Sequence, residues 1–279
     1  MTNPIADPLV EGVDTEALSD TVVLDASPSG VAVVTINRPD RKNAFDAEVI
    51  AALSQAFETL RDADGVRIVF LRGAGAAFSA GADLEWMRAA ADWSESENRQ
   101  DAMALAEMLL ALRELPQFTV ALVEGPAFGG GAGLVAACDY AVAAKSARFA
   151  FSEVKLGLVA ATISPHVVDA IGPRRAKSLF ATGRIFDAAF AETIGLVDEV
   201  VASPADLDDA MERLSTEIMA CAPGAVAASK QLVDDIAGLP IDEELLEQTA
   251  RLIAARRAGE EGQEGVRAFL DKRKPGWAQ

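Results

Sequence analysis

Two glycine-rich stretches and one glutamate carry the residues that could do chemistry. The chain is organised around Glu124-Gly-Pro-Ala-Phe-Gly-Gly-Gly-Ala-Gly-Leu-Val-Ala-Ala-Cys-Asp139. The apolar run Phe118 to Val123 leads in and reads as a buried strand. Gly129, Gly130 and Gly131 follow, and Leu134 to Ala137 read as a small-residue helix deep in the core. Glycines at a strand-to-helix turn let a ligand approach bare backbone. The first N–H groups of a helix lack intrahelical partners and the macrodipole makes that end positive, so the turn can hold a developing negative charge. A second glycine-rich loop, Gly73 to Asp83, also follows a strand. Two such turns can offer two backbone N–H groups to one oxygen. A pair of this kind stabilises an oxyanion or enolate, and losing one donor costs ~3–4 kcal/mol of barrier. Glu153 follows a strand and precedes a glycine-containing loop. A carboxylate beside an oxyanion hole suits proton transfer at the carbon α to a thioester, worth roughly 10²–10⁴ in rate.

Other uses of the glycines fare less well. A dinucleotide fingerprint beginning at Gly129 and Gly131 needs a third glycine at position 134, which is Leu134. A phosphate-binding P-loop needs Gly-Lys-Ser/Thr, and no lysine is near. Close helix–strand packing also uses glycine, but three in a row with a fourth at Gly133 exceed what packing usually needs.

Composition narrows the chemistry further. The chain has 279 residues, 51% of them hydrophobic, enough for one substantial core. A net charge of −18 opposes nucleic acid and anionic membranes as partners. The two cysteines, Cys138 and Cys221, sit in alanine-rich contexts and read as core residues, with no disulfide framework or zinc spacing. No metal site is expected. The single histidine, His166, leaves acid–base work mainly to carboxylates. No apolar run is of membrane-spanning length, and the first 20 residues lack a secretory pattern. The expectation is a cytoplasmic protein with a flexible tail over residues 1–20.

The elements that position these residues follow in order. Thr21–Asp25 and Val31–Asn37 read as a hairpin around Ser27-Pro-Ser-Gly30. Arg38 to Asn43 is a basic loop, and Asp46 caps a helix with Ile50, Leu53, Phe57 and Leu60 on one face. Val66–Leu71 reads as a buried strand, and a helix starts near Leu84. Ser94 and Glu97 have the spacing of a capping box opening a long helix that stops at Pro116. Tyr140–Ala144 and Arg148–Phe151 read as strands and Ser152–Leu158 as a loop. Ser164 is the expected N-cap of a helix ended by Gly172, with another over Pro173–Thr182. Asp187–Thr193 reads as a helix and Leu196–Val201 as a strand, after which only helices follow. Residues 21–203 therefore form an α/β core of stacked β-β-α units, and 204–279 a helical segment suited to a lid or to oligomerisation.

Phe78-Ser-Ala-Gly-Ala-Asp-Leu84, Gly125-Pro-Ala-Phe-Gly-Gly-Gly131 and Phe151-Ser-Glu-Val-Lys-Leu-Gly-Leu158 together resemble the crotonase (enoyl-CoA hydratase/isomerase) superfamily over nearly the whole chain. Asp83 to Met87, Ala161 to Pro165 and the tail Glu261 to Arg273 are similar to bacterial methylglutaconyl-CoA hydratases of leucine and isoprenoid breakdown. The resemblance implies a crotonase spiral with a helical C-terminal segment, assembled as a trimer or a dimer of trimers. It implies an acyl-CoA thioester as substrate and no separate cofactor. Its two oxyanion donors fall on the N–H groups of Ala80 and Gly130, with Glu153 as general acid/base. Ala80, Gly81, Ala82 and Asp83 would line the CoA and thioester, Arg41 and Lys42 would meet CoA phosphates or ribose, and Phe269 and Lys272 match tail residues that touch CoA.

One departure matters. Two-carboxylate hydratases of this family carry a glutamate two residues after the third glycine, and here that residue is Gly133. The remaining resemblance favours hydration of a 2-enoyl thioester; the missing carboxylate favours 3-enoyl to 2-enoyl isomerisation, which needs one base. A silent acyl-CoA binder is the non-enzymatic alternative. Plainer readings stand beside these: Asp83 as an N-cap, Ser79 as a loop residue, His166 as a satisfied helix residue, Arg41 and Lys42 as solvated charges, and Phe269 with Lys272 as interface packing.

Overall fold

The computed structural model describes residues 19–278. The tail expected at the N-terminus falls almost wholly outside them. Strands β1 (Val22–Ala26) and β2 (Val31–Ile36) form the expected antiparallel hairpin. Asp46 caps α1 (Ala47–Arg61) by accepting from the Val49 N–H at 3.0 Å. After β3 (Ile68–Gly73) come α2 (Leu84–Ala90) and α3 (Glu95–Arg113), the latter opened by a complete capping box of Ser94 and Glu97. The next turn of the chain holds β4 (Phe118–Val123), β5 (Pro126–Phe128), α4 (Gly130–Ala137), β6 (Tyr140–Ala144) and β7 (Arg148–Ala150). It is followed by α5 (Ser164–Thr182), β8 (Phe186–Asp187), α6 (Ala188–Ile194) and β9 (Glu199–Val201). Four helices complete the chain: α7 (Asp206–Met219), α8 (Pro223–Ile236), α9 (Glu243–Ala258) and α10 (Glu260–Leu270).

The strands wind into two sheets. One has the order β1-β2-β3-β4-β6-β9, parallel from β2 onward; the other has the order β5-β7-β8. This is the crotonase spiral of repeated β-β-α units with a helical C-terminal segment. Side chains alternate across a strand, so β3 and β4 bury both faces. Ile68, Phe70, Val120 and Leu122 pack against Leu207, Ala210 and Leu214 of α7. Val69, Leu71, Ala121 and Val123 face the main core with α1, α3 and α4.

Helix α4 is buried on every side, from Gly131 through Ala137, as expected of a helix that is apolar all round. It begins at Gly130, not at Leu134 as the apolar pattern implied. Its glycines permit that depth: a Cβ on Gly130 would stand 2.8 Å from the Phe45 ring, and one on Gly131 2.8 Å from Ser79.

Several expectations change. Strand β5 was not legible, and Glu153–Leu156 is a short 3-10 turn instead of a loop. Ser164 is the first residue of α5, with its hydroxyl turned back to the Ala161 carbonyl at 2.7 Å, so it does not cap. Gly172, at φ 74°, does break α5 as expected. Cys138 packs partly buried against the core, where loss of solvent pushes its thiol well up, whereas Cys221 is exposed and is not a core residue. The C-terminal helices are tied to the core by Lys230, which pairs with Asp139 at 2.6 Å and donates to the carbonyls of Leu115 and Gln117. Arg113 bridges Asp169 and Asp234 at 2.7 and 2.6 Å, adding a second clasp across α3, α5 and α8.

Candidate active site

Three loops leave the same end of the parallel strands and are stitched together by backbone. The β2–α1 loop meets the β3–α2 loop through Phe45 N–H to Gly81 O and Asp83 N–H to Phe45 O, both at 2.7 Å. The β3–α2 loop meets β5 through Ser79 N–H to Pro126 O and Phe128 N–H to Ser79 O, both at 2.9 Å. Gly129 N–H then donates to Ala150 O at 2.9 Å, bringing in the strand that ends before Glu153. Asn43, buried and at φ 54°, braces the first loop by donating to the carbonyls of Ala74 and Ala77 and accepting from the Arg38 N–H.

The donors of the two glycine loops can now be sorted. Ala80 is not one of them, which corrects the expectation: its N–H already donates to the Lys42 carbonyl at 2.9 Å. Gly81 N–H is satisfied by the Ser79 hydroxyl at 3.2 Å, and Asp83 N–H by Phe45 O. Ala82 N–H has no acceptor among the described residues. Gly81 must be glycine for this arrangement, with φ 89° and a Cβ position 2.9 Å from the Phe128 carbonyl. In α4 the first helical bond is Gly133 N–H to Gly129 O at 3.0 Å, leaving the N–H groups of Gly130, Gly131 and Ala132 as open donors. The close approach of Gly81 and Gly129, whose Cβ position lies 4.0 Å from the Gly81 Cα, places the two donor groups beside each other.

Glu153 sits next to them. Its Oε1 is 3.3 Å from where a Cβ on Gly129 would stand. Its Oε2 is buried with no hydrogen-bond partner among the described residues. Burial pushes the carboxyl pKa up, with its own backbone N–H pulling the other way. A half-buried carboxylate with an open oxygen is the form of a base awaiting a proton. Glu153 also lines an apolar cavity of about 640 Å³ with Phe151, Val154, Leu158, Ala160 and Phe180.

The remaining candidates separate into braces and surface groups. Asp83 is committed to structure: it caps α2 through the N–H groups of Glu85 and Trp86, at 2.8 and 3.4 Å, and pairs with Arg41 at 3.1 Å. Burial opposes its ionisation, but the Glu85 N–H, Arg41 and the Trp86 N–H outweigh this and hold its carboxyl below the usual range. Arg41 is shared between Asp83 and Glu85, while Lys42 is exposed. Phe269 lies on α10 and is 83% exposed; no hydrogen bond or ion pair joins it or Lys272 to the residues around Glu153. His166 is buried with Nδ1 unpartnered among the described residues, so it is not the satisfied residue expected; burial and Arg113 both lower its pKa. No cluster of side chains among the described residues could hold a metal ion. No helix among them is long and apolar enough to cross a membrane.

The family model for enoyl-CoA hydratase/isomerase matches residues 26–279. A relative from Thermus thermophilus is 37% identical over 88% of this chain and 96% of its own. A crystal structure from Legionella pneumophila is 43% identical, with a TM-score of 0.88 over 92% of this chain and 99% of that one. The crystal structure of an enoyl-CoA hydratase from Shewanella pealeana is 37% identical, with a TM-score of 0.90 over 94% and 97% of the two chains. The chain belongs to the enoyl-CoA hydratase/isomerase family, within the crotonase superfamily. It is an enzyme with enoyl-CoA hydratase/isomerase activity on a CoA thioester.

Proposed function

We propose that the enzyme hydrates a 2-enoyl-CoA with Glu153 as its one acid/base. The thioester oxygen is held by the N–H groups of Ala82 and Gly130. Water adds to carbon β and gives its proton to the Glu153 carboxylate, and negative charge moves to the thioester oxygen. Glu153 then returns that proton to carbon α, so the carboxylate is regenerated and one water is consumed. The observation that carries the reading is the pairing of open donors in two stitched loops with a carboxylate whose free oxygen is buried beside them. The apolar cavity that Glu153 lines is the volume open to the acyl group.

A second reading is favoured by the absence of a side chain at Gly133. With one carboxylate, the same site moves a proton from carbon α of a 3-enoyl-CoA to carbon γ and yields the 2-enoyl isomer. A branched, carboxylated substrate such as 3-methylglutaconyl-CoA is supported only by sequence likeness in three short stretches, and Lys177 at the cavity is the cation that would meet its distal charge. Arg41 and Lys42 remain candidates for CoA phosphates, with Arg41 exchanging Asp83 or Glu85 for the ligand. Phe269 and Lys272 would reach CoA from a second copy of the chain in a trimer or hexamer, a reading supported by the exposure of Val266, Phe269 and Leu270 on α10. A panel of crotonyl-CoA, 3-methylglutaconyl-CoA and a 3-enoyl-CoA, followed at the enoyl-thioester absorbance, tests the proposal. Loss of absorbance from a 2-enoyl ester is expected. Shift of the 3-enoyl double bond with no hydration of any ester would replace it by the isomerase reading, and no turnover at all by the silent binder.

A further inference from the structure

Gly133 stands one helical turn after Gly129. Residues four apart share a helix face, and Cα–Cβ bonds tilt toward the helix N-terminus. A side chain at position 133 would therefore lean back toward the N-terminal end of α4, the end where Glu153 Oε1 stands 3.3 Å from the Cβ position of the capping Gly129. That volume is already full. Ile163 Cγ2 lies 2.4 Å, and its Cβ 2.9 Å, from where a Cβ on Gly133 would stand, with Leu109 Cδ1 at 3.8 Å. Both residues are buried. Ile163 cannot withdraw cheaply. It is β-branched and stiff at χ1, and its carbonyl accepts the Val167 N–H at 3.1 Å, which fixes it to the start of α5.

We infer that Ile163 is the specificity-determining residue that confines this site to a single carboxylate, by filling with hydrocarbon the space in which a second acid would face Glu153. The inference rests on the role proposed for Glu153. Its chemical consequence is a partition. Moving a double bond needs one group that removes and returns a proton. Hydration also needs a held water; Glu153 alone can hold it and move its proton, but more slowly than a pair of carboxylates would, because the Ile163 plug orients nothing.

The test compares Gly133→Glu, Ile163→Ala and the double variant, reading hydration of crotonyl-CoA against isomerisation of a 3-enoyl-CoA. The ratio of the two rates is internal to each preparation and does not depend on how much of it is folded. The double variant is expected to raise the ratio at least tenfold, and Gly133→Glu alone to lose stability without raising it. A folded double variant with the parental ratio, or a Gly133→Glu enzyme that melts like the parent and shows the same rise, would overturn the inference. Should the double variant not fold, a stability cycle decides. Gly133→Ala is expected to lower Tm by about 2–4 °C or more in the parent and by much less in the Ile163→Ala background. Equal losses in both backgrounds would overturn it. A Glu153→Gln control with full turnover would instead defeat the reading of Glu153, and the Gly133–Ile163 cycle, which needs no catalysis, would still be read on its own.

Discussion

Replacing Glu153 by Gln keeps the side chain's size and removes its ability to take a proton. A positioned acid/base contributes roughly 10²–10⁴ in rate, which is about 2.7–5.4 kcal/mol of barrier. Among the described residues Glu153 offers the unpartnered carboxylate oxygen beside the open donors, while Asp83 is committed to the α2 cap and Arg41, so kcat/KM for the enoyl ester is expected to fall by at least about a hundredfold. Stability should move the other way. Burial holds the Glu153 carboxyl pKa above its ordinary value. The folded state therefore favours the protonated form, and stability is lost as pH rises from the ordinary glutamate value up through the raised folded pKa, the full cost standing above it. Gln carries no such cost, so at pH 7–8 the variant should melt at or above the parent temperature. The assay is steady-state turnover at the enoyl absorbance beside a thermal melt. Unchanged kcat/KM would refute the role of Glu153. Loss of activity with a large fall in Tm would refute the claim that the carboxylate is held at a cost for chemistry.

Three further outcomes follow from the same geometry. Activity needs ionised Glu153, so the acidic limb of kcat/KM against pH should lie above the ordinary glutamate value of about 4.3, and a limb at or below it would contradict the burial argument. Ala82→Pro deletes an open donor and should cut kcat of the folded enzyme by about 10²–10³, whereas Ala80→Pro breaks the bond to Lys42 O and should lower Tm while leaving kcat of the folded enzyme nearly intact; the reverse pattern in kcat would restore Ala80 as the donor. Asp83→Ala removes a helix cap and the partner of Arg41, so a melt should show a loss of about 1 kcal/mol or more, and an unchanged Tm would show that Asp83 serves the ligand instead.

Much of this was legible in local sequence because the signals are local. The caps Asp46, Asp83 and Ser94 stand two or three residues from the N–H groups they satisfy, and the glycine turn announces itself by spacing. What was not legible depends on pairs far apart in the chain. The choice between Ala80 and Ala82 is made by the Lys42 carbonyl, on a loop after a different strand. The reason position 133 is glycine lies in Ile163, on the far side of two strands and the Glu153 turn. Strand β5 is only 3 residues long, and its pairing with Arg148–Ala150, not its composition, makes it a strand. The exposure of Cys221 and the unpartnered nitrogen of His166 are likewise set by how α5, α7 and α8 pack, which alanine-rich context does not encode.

The most direct measurement is a crystal structure with a non-reactive acyl-CoA thioester bound. The thioester oxygen should lie about 2.7–3.1 Å from the nitrogens of both Ala82 and Gly130, with a Glu153 carboxylate oxygen facing carbon α. An oxygen held by any other pair of donors, or a carbon α turned away from Glu153, would contradict the account.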